Sequence, residues 1–354
     1  MIREVIKKGK NVLDKRLIKV CFKSRGLATL YYTFFNSSFK REHQAVLSGK
    51  VKHLEESQVN RGNYFLLTRN IHRIEKGLLM RPRRPVFARE YIAETIDSFE
   101  QIWEPEVVET NPQMKWFYDV LENYFDACNS DDVVDLQRSR FIEIIKSRAH
   151  SNHTDSSVKS SSVPYHRLEE DRSTIAYEEF YKLTKQRRSV RWFLDKKVPR
   201  ELVDKAILAG NQSPSACNRQ PYEFRVFDDP NLVSELVQLP MGTKGYANNV
   251  PMMIALVGNL DAYFDERDRH IIYIDASLAA MSFMLALETL GLSSCAINWP
   301  DIEVREKKMD RFLGLEQHQR TIMCLAVGYP DPEGKVAYSE KRPLSLLRKY
   351  NYEN

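Results

Sequence analysis

The strongest functional signal in this sequence is the stretch Gln186-Arg187-Arg188-Ser189-Val190-Arg191-Trp192-Phe193. It ends a helical pattern and begins an extended one, so three arginines gather where two elements meet. Alternate side chains of an extended segment share a face, which places Arg187, Ser189 and Arg191 together. Guanidinium groups bind phosphate oxygens in a bidentate manner, and a hydroxyl adds a further donor. The segment predicts a phosphate-binding site; the alternative is a solvated basic helix end.

Length and composition describe a globular protein with more than one domain. The chain has 354 residues, of which 43% are hydrophobic and 29% charged, as is typical of soluble proteins. Its five cysteines show no CxxC spacing, so neither a disulfide framework nor a zinc site is predicted. No secretory signal is evident in the sequence. We therefore expect a cytoplasmic location, with the amino terminus as a candidate for peripheral membrane contact.

Positive charge is concentrated at the amino terminus. Residues 1–50 contain twelve Lys or Arg and three acidic residues, whereas the whole chain carries a net charge of +5. A basic, largely helical segment of this kind either lies on an anionic membrane surface or packs against the domain behind it with its lysines in water. The sequence contains no recognisable nucleic-acid-binding module, so no specific nucleic-acid partner is expected.

The helical pattern continues to about residue 146. Within it, His72, Glu75 and Lys76 fall within one helical turn. This spacing suits either proton transfer and ligand binding or a surface ion-pair cluster.

A serine-rich stretch marks the predicted domain boundary. Residues 151–162 contain six serines, a composition typical of flexible linkers. The expected organisation is a basic, mostly helical domain at 1–150, a linker at 151–173 and a second domain at 174–354.

Beyond the linker, short apolar strands alternate with helices. The pattern predicts strands at Tyr222–Phe227, Met252–Val257, Ser294–Asn298 and Thr321–Val327. It predicts helices at Pro199–Gly210, Arg267–Leu290 and Ile302–Leu313. Strands separated by helices indicate a layered α/β or α+β domain. The uncharged run 276–287 is shorter than the roughly 20 residues that span a bilayer, and it predicts a buried helix.

Four motifs, in order, resemble the FMN-dependent nitroreductase family. They are Arg187–Phe193, the loop Ser213-Pro-Ser-Ala-Cys-Asn-Arg-Gln-Pro221, the small-residue helix Asp275–Leu290 leading into Gly291–Ile297, and Gly328-Tyr-Pro330 followed by Lys341-Arg342-Pro343. The resemblance covers about residues 174–354, and the first 165 residues lie outside it. It implies an α+β fold: a nitroreductase-like three-layer α/β/α domain, here preceded by an all-α domain.

The resemblance also implies a cofactor, a reaction and a partner. FMN would be bound, NADH or NADPH would reduce it, and a small organic acceptor such as a nitro compound or quinone would be reduced in ping-pong order. The flavin carries this chemistry, so no side chain is assigned as the catalytic group. The family further implies an intertwined homodimer, and the long helix fits one. Its small residues would permit close helix approach (Ala276, Ala279, Ala280 and Ala286), and its larger apolar residues would supply contacts (Leu278, Met281, Phe283 and Met284). The alternative is a long helix buried within one subunit.

Site residues follow from the motifs position by position. The residues expected at the FMN phosphate and ribityl chain are Arg187, Arg188, Ser189 and Arg191, with Lys341 and Arg342 from the carboxy-terminal segment. The residues expected to approach the flavin across the dimer interface are Pro214, Ser215, Asn218 and Gln220. Ile297 and Asn298 would pass the flavin ring with backbone donors. Cys217, in the same loop, is either redox-active or a buried structural thiol.

The helical half has no assigned role in this resemblance. The matched region is short, so we hypothesise that the preceding helices cover the substrate pocket, with His72, Lys76 or Arg84 near the substrate. An alternative function is that of a membrane- or polyanion-binding protein in which the flavin domain is a structural or sensing module.

Overall fold

The computed structural model describes residues 17–58, 62–108, 110–148 and 162–351. Its amino-terminal part is helical, with a π-helical turn at Tyr31–Phe35. The helices are α1 (Arg25–Leu30), α2 (Lys40–Gln58), α3 (Tyr64–Leu78), α4 (Ile92–Ile102), α5 (Pro112–Ala127) and α6 (Asp132–Arg148). The predicted helical character is confirmed for the described residues. The start of the basic segment, residues 1–16, and most of the serine-rich stretch, residues 149–161, lie outside them.

The carboxy-terminal part combines helices with one sheet. Its helices are α7 (Tyr177–Gln186), α8 (Arg200–Asn211), α9 (Pro230–Leu236), α10 (Ile271–Thr289) and α11 (Glu303–Leu313). Its strands are β1 (Tyr222–Phe227), β2 (Met252–Asn259), β3 (Ser293–Asn298) and β4 (Gln319–Gly328). The four predicted strands are confirmed, three of them slightly longer than expected. They form an antiparallel sheet in the order β1-β2-β4-β3.

Strand β2 explains why the sheet has helices on both faces. Every residue of β2 is buried, and successive side chains of a strand point to opposite faces. Met252 and Ile254 contribute to the core that contains α8 and α10 residues. Met253 and Ala255 contribute to the core that contains α9 and α11 residues. The predicted three-layer α/β/α arrangement and α+β class are confirmed.

Helix α10 is apolar on nearly all sides. By length and composition alone the segment Glu266–Thr289 would be able to cross a membrane, but Ala276, Ala279 and Phe283 are fully buried in the domain core. The predicted buried helix is therefore confirmed. Phe283 and Met284, predicted to supply contacts to a second copy, lie instead in the domain core. The outer face of α10 remains open in the single chain: Ile274, Leu278 and Met281 are 51%, 43% and 40% exposed.

Helices α3 to α6 have a hydrophobic core of their own. Side chains such as Leu67, Ile71, Phe99, Phe117 and Tyr124 are completely buried there. Asn63 caps α3, because its side-chain oxygen accepts a hydrogen bond from the Leu66 N–H at 2.9 Å. The all-α part of the predicted fold is thereby confirmed, whereas the boundaries drawn around residues 150 and 173 remain predictions.

Helix α2 packs against the carboxy-terminal domain. Ala45 lies in the same buried cluster as Leu256 and Leu260. Gly49 permits close approach, since a Cβ atom at this position would lie 2.6 Å from the Leu260 carbonyl carbon. Arg41 also binds the Glu303 carboxylate in a bidentate manner, donating from its Nε at 2.8 Å and from its Nη2 at 3.0 Å.

The arginine-rich segment is held against the end of the sheet by its main chain. The Val190 N–H donates to the Ser294 carbonyl at 3.0 Å, and the Leu194 N–H donates to the Tyr329 carbonyl at 2.9 Å. The Asn249 side chain binds both backbone groups of Phe193: its oxygen accepts from the N–H at 2.5 Å, and its amide donates to the carbonyl at 2.9 Å. Val190 and Phe193 are buried, which fixes the backbone between them.

Substituting Gly49→Ala is expected to destabilise the protein by about 1–3 kcal/mol, because the added methyl group overlaps the Leu260 backbone. Gly26→Ala is the matched control, since Gly26 is also helical and has no atom within 4 Å of its Cβ position. Urea unfolding measures both. Equal stability of the two variants would show that the α2 contact is looser than described.

Removing the Asn249 side chain is expected to lower the free energy of unfolding by about 1–3 kcal/mol, because both backbone groups of Phe193 lose their hydrogen-bond partner in a half-buried setting. Asn248→Ala, at the exposed neighbouring position, is the control. Chemical denaturation of Asn249→Ala and Asn248→Ala gives the comparison, and an unchanged midpoint for Asn249→Ala would contradict the expectation.

Candidate functional site

Arg187 stands where α7 ends and the extended segment begins. Its backbone leaves the helix with ψ 114°. Its Nε atom is buried and has no hydrogen-bond partner among the described residues. The nearby Glu288 is engaged by Gln186, whose amide donates to it at 3.1 Å. Burial raises the pKa of Glu288, while the Arg187 charge lowers it. Arg187 thus has an unfilled donor.

Ser189 and Arg191 continue the same surface. Ser189 forms a single parallel bridge with Ser294 at the start of β3. Arg191 is exposed, with its Nη1 3.5 Å from the Ser189 carbonyl oxygen and its Cζ 5.9 Å from the centre of the Tyr246 ring. Within the described ranges neither Arg187 nor Arg191 forms an ion pair. The two guanidinium groups and the hydroxyl suit an anion in charge and hydrogen bonding.

The carboxy-terminal segment comes close to Arg188. The pKa of Glu340 is lowered chiefly by the Lys341 backbone N–H and the Tyr338 hydroxyl, and additionally by the charge of Arg188. Lys341 is exposed. Arg342 is also exposed, and its Nη2 lies 3.5 Å from the Leu346 carbonyl oxygen. The structure therefore brings the segment carrying Lys341 and Arg342 beside the arginine-rich segment.

The loop before β1 is stabilised internally. Gln220 donates its backbone N–H to the Ser215 Oγ at 3.2 Å and its side-chain amide to the Asn218 Oδ1 at 3.1 Å. Asn218 and Gln220 have positive φ angles of 55° and 51°. Pro214 is exposed at the start of this loop. The Ala216 N–H donates to Asp275 on α10 at 2.9 Å, which fixes the loop on that helix.

Strand β3 presents alternate side chains to the core and to solvent. Ile297 is 5% exposed and packs in the core, whereas Asn298 is exposed. Any direct contact of Ile297 with a ligand would therefore involve its backbone, while the side chain of Asn298 is exposed to solvent.

One chain supplies these residues in two separate groups. Among the described residues, no hydrogen bond or ion pair joins the loop 214–220 to the segment 187–191. The first group contains Arg187 to Arg191, β3 and the carboxy-terminal segment; the second contains the loop, which is fixed on α10 through the buried Asp275. The ligand-binding roles predicted for these residues remain predictions.

Helix α3 brings different side chains to the loop from those hypothesised. His72 lies 3.4 Å from Glu75, and Lys76 and Arg84 are exposed. Arg69 is instead close enough to Arg219, next to Asn218 in the loop, for the Arg219 charge to lower its pKa. Neither Arg69 nor Arg219 is among the site residues predicted from the sequence; the one signal for Arg69 is its spacing of one helical turn from Arg73.

Comparison with known proteins covers the carboxy-terminal half. Residues 184–243 and 235–329 match the nitroreductase family model. Iodotyrosine deiodinase 1 of Homo sapiens is 25% identical over 198 residues, which are 48% of this chain and 68% of that protein. The iodotyrosine deiodinase of Hydra vulgaris is 23% identical over 248 residues, covering 61% of this chain and 88% of its own length.

Among solved structures, a nitroreductase family protein from Streptococcus pneumoniae TIGR4 is 25% identical. The alignment covers 49% of this chain and 100% of that protein, with a TM-score of 0.42. The matched residues contain the arginine-rich segment, the loop before β1 and all four strands. The match to the nitroreductase family therefore lies in the carboxy-terminal half of this chain.

Proposed function

We propose that this protein is an FMN-dependent oxidoreductase that takes electrons from NADH or NADPH and delivers them to a small organic acceptor, such as a nitro compound or a quinone, in ping-pong order. The observation that carries this proposal is the arginine-rich segment: Arg187, Ser189 and Arg191 offer donors to an anion, and the buried Arg187 Nε has no other partner. A phosphate monoester such as that of FMN fits this donor set.

The chain's own residues would bind and orient the cofactor. Arg187, Arg188, Ser189 and Arg191 would hold the phosphate and ribityl chain, with Lys341 and Arg342 adding positive charge. When bound, FMN supplies hydride acceptance from the nicotinamide and electron delivery to the acceptor. Backbone N–H groups near Ile297 and Asn298 would stabilise negative charge on the ring.

A homodimer is part of the proposal. In one chain the loop 214–220 is not joined to the arginine-rich segment, and a second copy would bring the two groups together. The exposed apolar face of α10 supports this arrangement, as do Leu344, Leu346 and Leu347, which are 61%, 61% and 64% exposed in the carboxy-terminal segment. Burying such a surface between copies is favourable.

The absorbance spectrum of the purified full-length protein tests the cofactor and the reductant together. We expect flavin bands at about one FMN per subunit that bleach on anaerobic addition of NADH or NADPH. A protein that contains no flavin and takes up no added FMN would refute the proposal and favour the membrane- or polyanion-binding alternative.

Arg187→Ala and Arg191→Ala are expected to weaken FMN binding by about 10- to 100-fold each, because each removes a charge-assisted hydrogen-bond donor. Arg200→Ala is the control, since Arg200 is exposed on α8 and pairs with Asp228. Fluorescence titration of apoprotein with FMN gives the dissociation constants. If all three variants bound FMN with equal affinity, the FMN phosphate would not lie at Arg187 and Arg191.

Met281→Glu is expected to dissociate the dimer, because it puts a charge in the apolar face of α10. Light scattering during size-exclusion chromatography should give the Met281→Glu variant the mass of one subunit, 41.4 kDa. The wild-type protein should have twice that mass. Leu136→Glu, at a 60% exposed position of α6, should leave the dimer intact. A monomeric wild-type protein would contradict the dimer.

A further inference from the structure

Three arginines meet between helix α3 and the loop before β1. Arg69 and Arg73 lie one turn apart on α3, and Arg219 belongs to the loop. The charges of Arg73 and Arg219 both lower the pKa of Arg69, adding to the larger effect of burial. Arg69 is therefore within electrostatic reach of both other guanidinium groups. Positive charges held close together in a partly buried site repel one another, and a bound anion would relieve this repulsion.

Aromatic rings hold these arginines in place. The Arg219 Cζ lies 4.8 Å from the centre of the Tyr263 ring, and the Arg69 Cζ lies 5.0 Å from that of Phe264. The Arg73 Cζ lies 3.6 Å from the centre of the Tyr91 ring. A guanidinium that rests on a ring face keeps its N–H edges available for a planar anion.

Arg219 is the most buried of the three. Only 6% of the residue is exposed, and its Nε has no partner among the described residues. Its Nη1 reaches the Ala216 carbonyl oxygen at 3.5 Å, within the same loop. Burying a guanidinium without an ion pair is unfavourable, and the Arg219 Nε is a strong donor that stays unsatisfied among the described residues.

Two nearby carboxylates act on the cluster without a direct ion pair among the described residues. The charge of Glu94 partly opposes the lowering of the Arg69 pKa by burial, and the charge of Arg219 partly opposes the raising of the Asp275 pKa by burial. Glu94 accepts a hydrogen bond from the Asn70 amide at 2.8 Å. Asp275 accepts from the Ala216 N–H at 2.9 Å, and burial raises its pKa. Within the described part of the chain, Arg69, Arg73 and Arg219 form no ion pair; Arg73 donates instead to the neutral Asn70 at 3.2 Å.

We propose that Arg69, Arg73 and Arg219 form a binding site for a carboxylate or phosphate group, and that this group belongs to the electron acceptor. The first half of the proposal rests on the arginines alone. The second half rests on the proposed function, in which the loop carrying Arg219 approaches the flavin. The helical half of the chain then selects an anionic acceptor by supplying two of the three arginines.

Paired nitro compounds test the acceptor. With NADH or NADPH and full-length holoprotein, we expect Arg69→Ala and Arg73→Ala to raise the KM for 4-nitrobenzoate by about 10- to 100-fold, and that for neutral 4-nitrobenzamide by less than about 3-fold. 4-Nitrophenyl phosphate shows whether a phosphate is preferred to a carboxylate. The control Arg140→Ala removes one charge from α6, where Arg140 pairs with Asp97 and Glu100. Equal effects on the charged and neutral compounds would overturn the proposal.

Thermal unfolding tests the anion site without turnover. Benzoate and phenyl phosphate should raise the Tm of wild-type protein above that in sodium chloride of equal ionic strength, and the rise should disappear in the Arg69→Ala/Arg73→Ala double variant. If wild-type protein shows this rise but reduces no acceptor, the anion site stands and the proposed oxidoreductase function fails. If it reduces acceptors but shows neither the rise nor charge discrimination, the anion site fails alone.

Discussion

The structure depends on the attachment of the arginine-rich segment to the end of the sheet. Val190 and Leu194 donate backbone hydrogen bonds to Ser294 and Tyr329, and the buried ring of Phe193 anchors the backbone between them. Long cationic side chains lose rotamer entropy when they are held in one arrangement. Here the backbone is fixed first, by apolar burial and main-chain bonds, so Arg187 and Arg191 need no carboxylates to position them. Their donors stay available for a ligand.

A second constraint is the close packing of α2 on the carboxy-terminal domain. Gly49 touches the Leu260 backbone, and His53 Nδ1 lies 2.8 Å from the Asp261 carbonyl oxygen. Burial lowers the pKa of His53, and the charges of Arg219 and Arg69 lower it further, which favours the neutral imidazole. The helical half is thus packed against the domain at the place where α3 meets the loop before β1. Arg69 and Arg219 come from distant parts of the chain and become neighbours through this packing.

The sequence predicted the group formed by Arg187 and Arg191 but not the group formed by Arg69, Arg73 and Arg219. Arg187, Ser189 and Arg191 lie within one short motif, and alternation along an extended segment was enough to group them. The same reasoning grouped His72 with Lys76 on α3, but it did not show what this helix packs against. A helical periodicity shows which side chains share a face, whereas the partner of that face depends on the rest of the fold. The two residues grouped in this way were therefore on the same helix as Arg69, which is the residue of α3 within electrostatic reach of Arg219 in the loop.

The sequence alone was enough to predict the four strands, the buried character of α10 and the resemblance of the carboxy-terminal half to the nitroreductase family. These features depend on local patterns: runs of apolar residues, helix-ending residues and short motifs. The tertiary structure was needed to show that α2 packs against the Leu260 backbone and that Arg219 is buried beside Arg69. It was also needed to show that, among the described residues, Arg219 forms no ion pair and no hydrogen bond joins the loop to the arginine-rich segment. Those features depend on contacts between residues far apart in sequence, for which neither periodicity nor composition carries a signal.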